Sequence, residues 1–390
     1  MKIKSIKANT ELDSRGEWTI SVRLKLQNGV ESVTSVPQGK SCGSYEAVYV
    51  KPQVAIKNIV KFIEPALKGI HAGNQNLIDH ALLKLDGTSN KSRLGANATL
   101  GVSVAAAKAA AISRNVPFWK HIAHLLGDKK KKTEFPKLFI NVINGGLHTK
   151  NNLDFQEYLI IPKSKNIAES VKTGLSLYKN LGEYLAKNLG KGATGLGDEG
   201  GFAPNLKDNL EPLRILSHVA KQSHLQNKIQ FGLDAAASNI KKTPTQLTKL
   251  YSELKSKFKL HYFEDPFSEN DFKNFAKLNK SIGRNTLICG DDLTTTNIKR
   301  MAKARAAKSI NSIIIKPNQI GTLTETLAAI EQARTWNWKV VVSHRSGETE
   351  DDFIADLAYG SSAYGLKLGA PARGERIAKY NRLLEISQEN

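Results

Sequence analysis

The chain has 390 residues, with 57 Lys or Arg against 36 Asp or Glu, a formal net charge of +21 and a pI near 9.7. A field of this sign favours anionic partners, whether a phosphorylated metabolite, nucleic acid or an acidic membrane surface, and does not choose among them. Two cysteines, Cys42 and Cys289, exclude a disulfide framework, and no stretch approaches the roughly 18 apolar residues of a spanning helix, so a cytoplasmic protein without a transmembrane segment is expected.

The N-terminus MKIKSIKANT lacks the apolar core of a signal peptide. Two alternating segments, WTISVRLKLQ and GVESVTSVP, meet at Asn28-Gly29, a strong hairpin signal. Helical patterns follow around VAIKNIVKFIEPAL, NLIDHALLKL and ANATLGVSVAAAKAAAIS. Strands followed by a run of helices predict an α+β domain over residues 1–128. The run Lys129 to Lys132, between LLGD and TEFP, reads as a solvated linker.

From Leu138 the order changes. KLFINVI and QEYLIIP are apolar runs separated only by a loop, then come two helical stretches, and from IQFGLD strands and helices alternate to YGLKLG. This pattern predicts eight strands over residues 129–390: two strands, two helices, then six strand–helix units, a β/α barrel with a rearranged first quarter.

Five apolar runs in this region end at Asp234, Glu264, Asp291, Lys316 and His344, at intervals of 25 to 30 residues. In a closed β/α barrel, residues at the C-terminal strand ends converge on one mouth. A single Asp after a strand is more often a helix N-cap than a ligand. Three carboxylates at consecutive strand ends instead call for a divalent cation, and an all-oxygen donor set suits magnesium. Lys316 faces that group as a candidate base.

Several ordered motifs now resemble one family. LDSRG, LDGTSNKSRLGANATLGVSVAAAKAAA, NVINGGLHTKNN, QEYLIIP, GDEGGFAPN, FGLDAAAS, FEDPF, GDDLTTTN, IIIKPNQIGTLTET, SHRSGETEDDFIADLA and APARGERIAKYNRLLEI span the chain and are similar to enolases. The resemblance implies an α/β fold, an enolase-type ββαα(βα)6 barrel behind an N-terminal α+β domain. It also implies reversible dehydration of 2-phospho-D-glycerate to phosphoenolpyruvate in glycolysis. Asp234, Glu264 and Asp291 match the family's magnesium ligands, and Ser41 matches a ligand of a second, substrate-dependent magnesium. Lys316 matches the general base, an arrangement for which the enolase superfamily is itself the standard example. A lysine serves as base when its pKa falls toward neutrality, and nearby cations act in that direction.

Glu199, in GDEGG, matches the general acid, with Glu157 as its carboxylate partner. Two adjacent carboxylates raise one pKa and retain a proton near neutrality. Arg345 and Ser346 match phosphate contacts, Lys367 matches the lysine that neutralises the substrate carboxylate, and His148, Gln156 and His344 match substrate-proximal positions. Thr349 and Asp352 also read as a capping box before FIADLA.

Departures from the family are local. PQGKSCG stands where enolases usually read PSGASTG, with Cys42 expected to be a small buried hydrophobe. Glu17-Trp18 replaces the usual Asn-Pro, and acidic loops after EAVYV and after FGLDAAAS are missing. The implied partners are a small phosphorylated carboxylate and other copies of the chain, as a dimer or larger. A competing reading is a basic enolase-like protein that mainly binds nucleic acid, a surface or a protein, although no nucleic-acid-binding motif accompanies the charge.

Overall fold

The computed structural model describes residues 1–40, 42–127 and 134–389. Ser41, the lysine run Lys129 to Lys132 and the expected boundary at 128/129 lie outside the described residues.

β2 (Trp18–Leu26) and β3 (Glu31–Ser35) form the hairpin expected at Asn28-Gly29, with Val22 opposite Thr34. Alternation sends Ile20, Val22, Leu24 and Leu26 to one buried face. β1 (Ile3–Leu12) pairs antiparallel with β2 and escapes the periodicity reading. It is an edge strand in which only Ile3 and Ile6 are buried, so no alternation marks it.

Helices then cover that face. α1 (Pro52–Asn58), a π-turn (Ile59–Ile63) and α2 (Glu64–Leu67) run end to end. Pro65 has no N–H to donate and its ring crowds the preceding turn, which accounts for the widened turn just before it. α3 (Gln75–Asp86) is N-capped by Asn74 and ends at Gly87 with φ +68°. α4 (Ala96–Ser113) is rich in alanine and buried almost all round, since it packs on β2 and β3 and also meets the barrel. A Cβ on Gly101 would lie 2.6 Å from Val22 Cγ2, so the helix sits closer to the sheet than an alanine there permits. α5 (Phe118–Leu125) completes the domain.

The barrel is closed, with strands in the order β4 (Lys137–Asn144), β5 (Glu157–Pro162), β6 (Ile229–Asp234), β7 (Tyr262–Glu264), β8 (Leu287–Gly290), β9 (Ser312–Ile315), β10 (Lys339–Ser343) and β11 (Gly365–Lys367). α6 (Ile167–Leu189) and α7 (Glu211–Gln222) follow β5. The later strands alternate with α8 (Pro244–Phe258), α9 (Phe272–Ile282), α10 (Ile298–Ala306), α11 (Pro317–Ile320) with α12 (Leu323–Thr335), α13 (Phe353–Gly360) and α14 (Gly374–Gln388). The expected order of two strands, two helices and six strand–helix units is the observed one.

β5 pairs antiparallel with both β4 and β6, whereas every other barrel pairing is parallel. Its first residue, Glu157, therefore stands at the mouth beside Asp234, its register partner. Phe139, Leu159, Ile161, Tyr262, Cys289, Ile314 and Val341 fill the barrel below as one fully buried cluster. No helix among the described residues is long and apolar enough to cross a membrane.

The expected capping box before α13 is corrected. Asp352 makes no side-chain cap; instead Asp351 Oδ1 accepts from Phe353 N at 3.0 Å. Asp351 also accepts from Ser35 N at 3.0 Å and from Lys108 Nζ at 2.8 Å, tying β3 and α4 to the barrel. Removing this carboxylate orphans a largely buried ammonium and two backbone donors. Asp351→Ala should therefore lower the unfolding free energy by about 2–4 kcal/mol, read as a lower urea midpoint.

Candidate active site

Each barrel strand carries an inward column of side chains with a period of two. The column is apolar in the plug and changes character one step higher. Phe139 gives way to Asn141, Leu159 to Glu157, Tyr262 to Glu264, Cys289 to Asp291, Ile314 to Lys316 and Val341 to Ser343. On β6 and β11 a glycine, Gly232 or Gly365, precedes Asp234 or Lys367 in the same way.

The carboxylates are joined through Lys367. Its ammonium lies 2.9 Å from Asp234, 2.8 Å from Glu264 and 3.0 Å from Glu157, all buried. These carboxylates hold Lys367 charged, well above the usual lysine range. Burial and the neighbouring Asp234 push Glu264 up to about 8, and Tyr262 donates to it at 2.6 Å.

Asp291 does not share that ammonium. It is paired with Lys316 through Oδ2 and accepts from Gln319 Nε2 at 2.9 Å through Oδ1. Burial, Arg345 and Lys367 all act to lower the Lys316 pKa, but Asp291 outweighs them and raises it above the usual lysine range. The direction is opposite to the fall toward neutrality expected of a base. Asp265 accepts from the backbone of Asp291 at 2.9 Å and of Asp292 at 2.7 Å, and so fixes the end of β8. Burial and Asp291 together push Asp292 up to about 7.

Across the mouth, the GDEGG segment carries Glu199 into the interior. Asn141 Nδ2 donates to it at 2.9 Å, and His148 and His344 lie 3.6 and 3.5 Å away. His148, Glu157 and Glu199 bring ligand atoms within 4.8 Å of one another. Burial and the Glu199 charge raise Glu157 well above the carboxylate range, while Glu199, facing His344, His148 and the Lys367 ammonium, is held well below it. The two carboxylates thus form one buried site that retains a proton near neutrality. Gln156 is buried nearby, with Nε2 3.4 Å from Asp234 Oδ2.

Arg345 forms a bidentate pair with Glu46, at 2.8 and 3.1 Å, and donates to Asn318 at 3.0 Å. A Cβ on Gly39 would lie 1.9 Å from Arg345 Nη2, so the loop passes the guanidinium with no room for a side chain. Lys40 N donates to Ser346 Oγ at 2.7 Å, and Lys40 Nζ meets Asp198 at 3.2 Å. Cys42 is exposed as a residue rather than buried as expected, but its sulfur is partly covered beside Gly39 and Arg345, and this partial burial together with Glu46 raises its pKa, so it is not an activated thiolate.

Arg376, Glu46, Gln319, Asp265 and Asp292 escape a reading confined to strand ends. Arg376 is fully buried and donates to His344 Nδ1 at 2.7 Å, Arg345 O at 2.8 Å and Ser346 O at 2.7 Å. Only the doublets Glu264-Asp265 and Asp291-Asp292 gave a sequence signal, and in the first of them the second acid, Asp265, is turned to hold the backbone at the end of β8.

The donor set fits a hard divalent cation. Glu157, Glu199, Asp234, Glu264, Asp265 and Asp291 are buried together, against Lys316, Lys367 and Arg345. Gln156 Oε1 and Glu157 Oε2 are buried acceptors without a partner. Oxygen ligands in carboxylate excess suit magnesium-like ions. The enclosed space is small, ≈20 Å³, and Gly39 closes one side of it.

Burial holds the His344 pKa down at about 4, below the 6.5 of an unperturbed imidazole. Unfolding therefore takes up a proton between pH 6.5 and 4. This contribution to stability is intact above pH 6.5 and is lost as pH falls through 4. An NMR titration of His344 should give a midpoint near 4, and urea midpoints should fall from pH 7 to pH 5.

The chain matches the family descriptions "Enolase, N-terminal domain" over residues 3–122 and "Enolase, C-terminal TIM barrel domain" over residues 132–390. It is 42% identical to Enolase of Solanum lycopersicum, over 99% of this chain and 95% of that protein. It is 41% identical both to Enolase B of Dictyostelium discoideum (100% and 95%) and to Enolase of Methanopyrus kandleri (100% and 96%). The first alignment runs over 424 positions against a chain of 390, so it opens gaps in this chain. The chain belongs to the enolase family.

Proposed function

We propose that the protein is a phosphopyruvate hydratase, a carbon–oxygen lyase that interconverts 2-phospho-D-glycerate and phosphoenolpyruvate. The observation that carries this reading is that Lys316, the Glu199–Glu157 pair and Arg345 line one buried pocket. The reaction needs a base for the C2 proton, a proton for the departing C3 hydroxyl and a grip on phosphate.

Lys316 is the residue for the C2 proton. It can accept one only after losing its own, and Asp291 holds it charged in the arrangement described. Loosening that pair leaves Arg345 and Lys367 to lower its pKa. The Glu157–Glu199 pair stores one proton between two carboxylates and delivers it to the C3 oxygen, so water leaves. Arg345 exchanges Glu46 for the substrate phosphate, a like-for-like swap of bidentate anions. Ser346 lies beside it, and His148, Gln156 and His344 border the substrate. Bound magnesium, held by Asp234, Glu264 and Asp291, with a second ion through Ser41 when substrate is present, would supply positive charge against the charge developing on the substrate carboxylate. Lys367, held charged by Asp234, Glu264 and Glu157, neutralises that carboxylate.

A protein that only binds nucleic acid or a surface has no need of buried, mutually repelling acids at a barrel mouth, which favours catalysis. A place in glycolysis, a cytoplasmic location, suited to the free Cys42 and Cys289, and a homodimer or larger assembly belong to the same proposal.

Purified protein with magnesium and 2-phosphoglycerate should generate the ultraviolet absorbance of phosphoenolpyruvate. Lys316→Ala should lower kcat by about 100-fold to 10,000-fold, the range for a general base. Absence of turnover in the intact protein with magnesium bound would sink the proposal.

A further inference from the structure

At the end of the barrel opposite the mouth lies a cavity of ≈490 Å³. It is lined by the starts of β4, β10 and β11 and by the segment after β5, including Lys137, Lys165, Lys339, Trp338 and Tyr364. The apolar plug of Phe139, Tyr262 and Ile314 separates it from the mouth. Its size falls within the range of small-molecule sites.

Its charge is one-sided. Glu134 is the only acid among the lining residues, and it is spent on Lys165 at 3.3 Å on the exposed rim. Lys137 and Lys339 reach over the ring of Tyr364, at 5.0 and 5.4 Å from its centre. Neither has an ion pair among the described residues. Two ammonium groups around one ring repel each other, and the ring's negative face offsets this only in part. His261, whose Nε2 is 3.1 Å from Tyr364 Oη, experiences the same field: burial with Lys137, Lys255 and Lys163 brings it down to about 4.

We propose that this cavity binds an oligophosphate, a linear di- or triphosphate group, inorganic or as the tail of a nucleotide, with Lys137 and Lys339 on its oxygens. The lining carries four cations, Lys137, Lys165, Arg334 and Lys339, against the single acid Glu134, an excess greater than the charge of about −1.5 to −2 on one phosphate. A nucleic-acid strand needs an extended groove with open stacking faces. Here the recess is confined to one barrel end, Trp338 is buried, and both lysines cover the Tyr364 ring. The assignment does not rest on the activity proposed above.

The test is calorimetric titration of full-length, metal-free protein with inorganic tripolyphosphate at physiological ionic strength. One binding event is expected. It should be weakened about tenfold or more in K137Q/K339Q, from loss of charge-assisted hydrogen bonds, and unchanged in R345Q. The reverse dependence would place the anion at the mouth and overturn the proposal, as would equal binding by all three proteins. The turnover and urea midpoint of K137Q/K339Q show that it is folded. In the intact protein, tripolyphosphate should also raise the NMR titration midpoint of His261, and no shift there overturns the proposal even if the double variant is unstable. ATP tighter than tripolyphosphate identifies a nucleotide as the source, and equal affinities identify the inorganic chain. A single-stranded oligothymidylate that displaces tripolyphosphate at this salt with the same lysine dependence would make the surface a nucleic-acid site and refute the assignment.

Discussion

Buried carboxylates cannot remain ionised side by side unless positive charge or protons come between them. At this barrel mouth both solutions are used. The ammonium of Lys367 sits among Asp234, Glu264 and Glu157, and Lys316 serves Asp291. Where the ammonium groups do not offset the crowding, a proton does: burial and Glu199 push Glu157 up, and burial and Asp291 push Asp292 up. The same repulsion that makes the cluster costly thus creates a proton store, a demand for a metal and a lysine whose charge depends on its partner.

The fold holds this cluster together by two devices. Reversing β5 brings a residue from the start of a strand, Glu157, to a mouth otherwise built from strand ends. The N-terminal domain supplies the other wall. Gln38 and Gly347 exchange backbone hydrogen bonds at 2.8 and 3.0 Å, Ala47 N donates to Gln319 O at 2.8 Å, and Glu46 clamps Arg345. The alanine-rich α4, packed between the sheet and the barrel, sets the spacing on which these contacts rely. Domain packing is therefore part of the site, and the bridge from Lys108 to Asp351 belongs to the same seam.

Much of this was legible in the sequence because barrel geometry converts strand ends into neighbours. Asp234, Glu264, Asp291, Lys316 and His344 share a pocket or its immediate wall for that reason. Residues outside the rule were harder. Glu157 precedes its strand, and only motif resemblance singled it out. Arg376 lies in a helix that reads as ordinary amphipathic structure, although it holds His344 and the backbone of Arg345 and Ser346. β1 was illegible because an edge strand needs only one or two buried side chains. Which acids share a cation is a matter of side-chain reach, and spacing along the chain carries no record of it.

The net charge has a different distribution from the one its sum suggests. More carboxylates than cations are buried, so the surface is more positive than +21 spread evenly would imply, while the mouth is rich in acids. Surface charge acts over a screening length of about 8 Å at physiological ionic strength. It can gather phosphorylated anions near the protein but cannot select among them. Selection requires unscreened charge inside, which at the mouth means Arg345 once Glu46 gives way. At the opposite end, Lys137 and Lys339 have no ion pair among the described residues, and the apolar plug separates them from the mouth. A cation cluster that stabilises neither the barrel nor the mouth is unfavourable in isolation, and an anion arriving from solution offsets that cost.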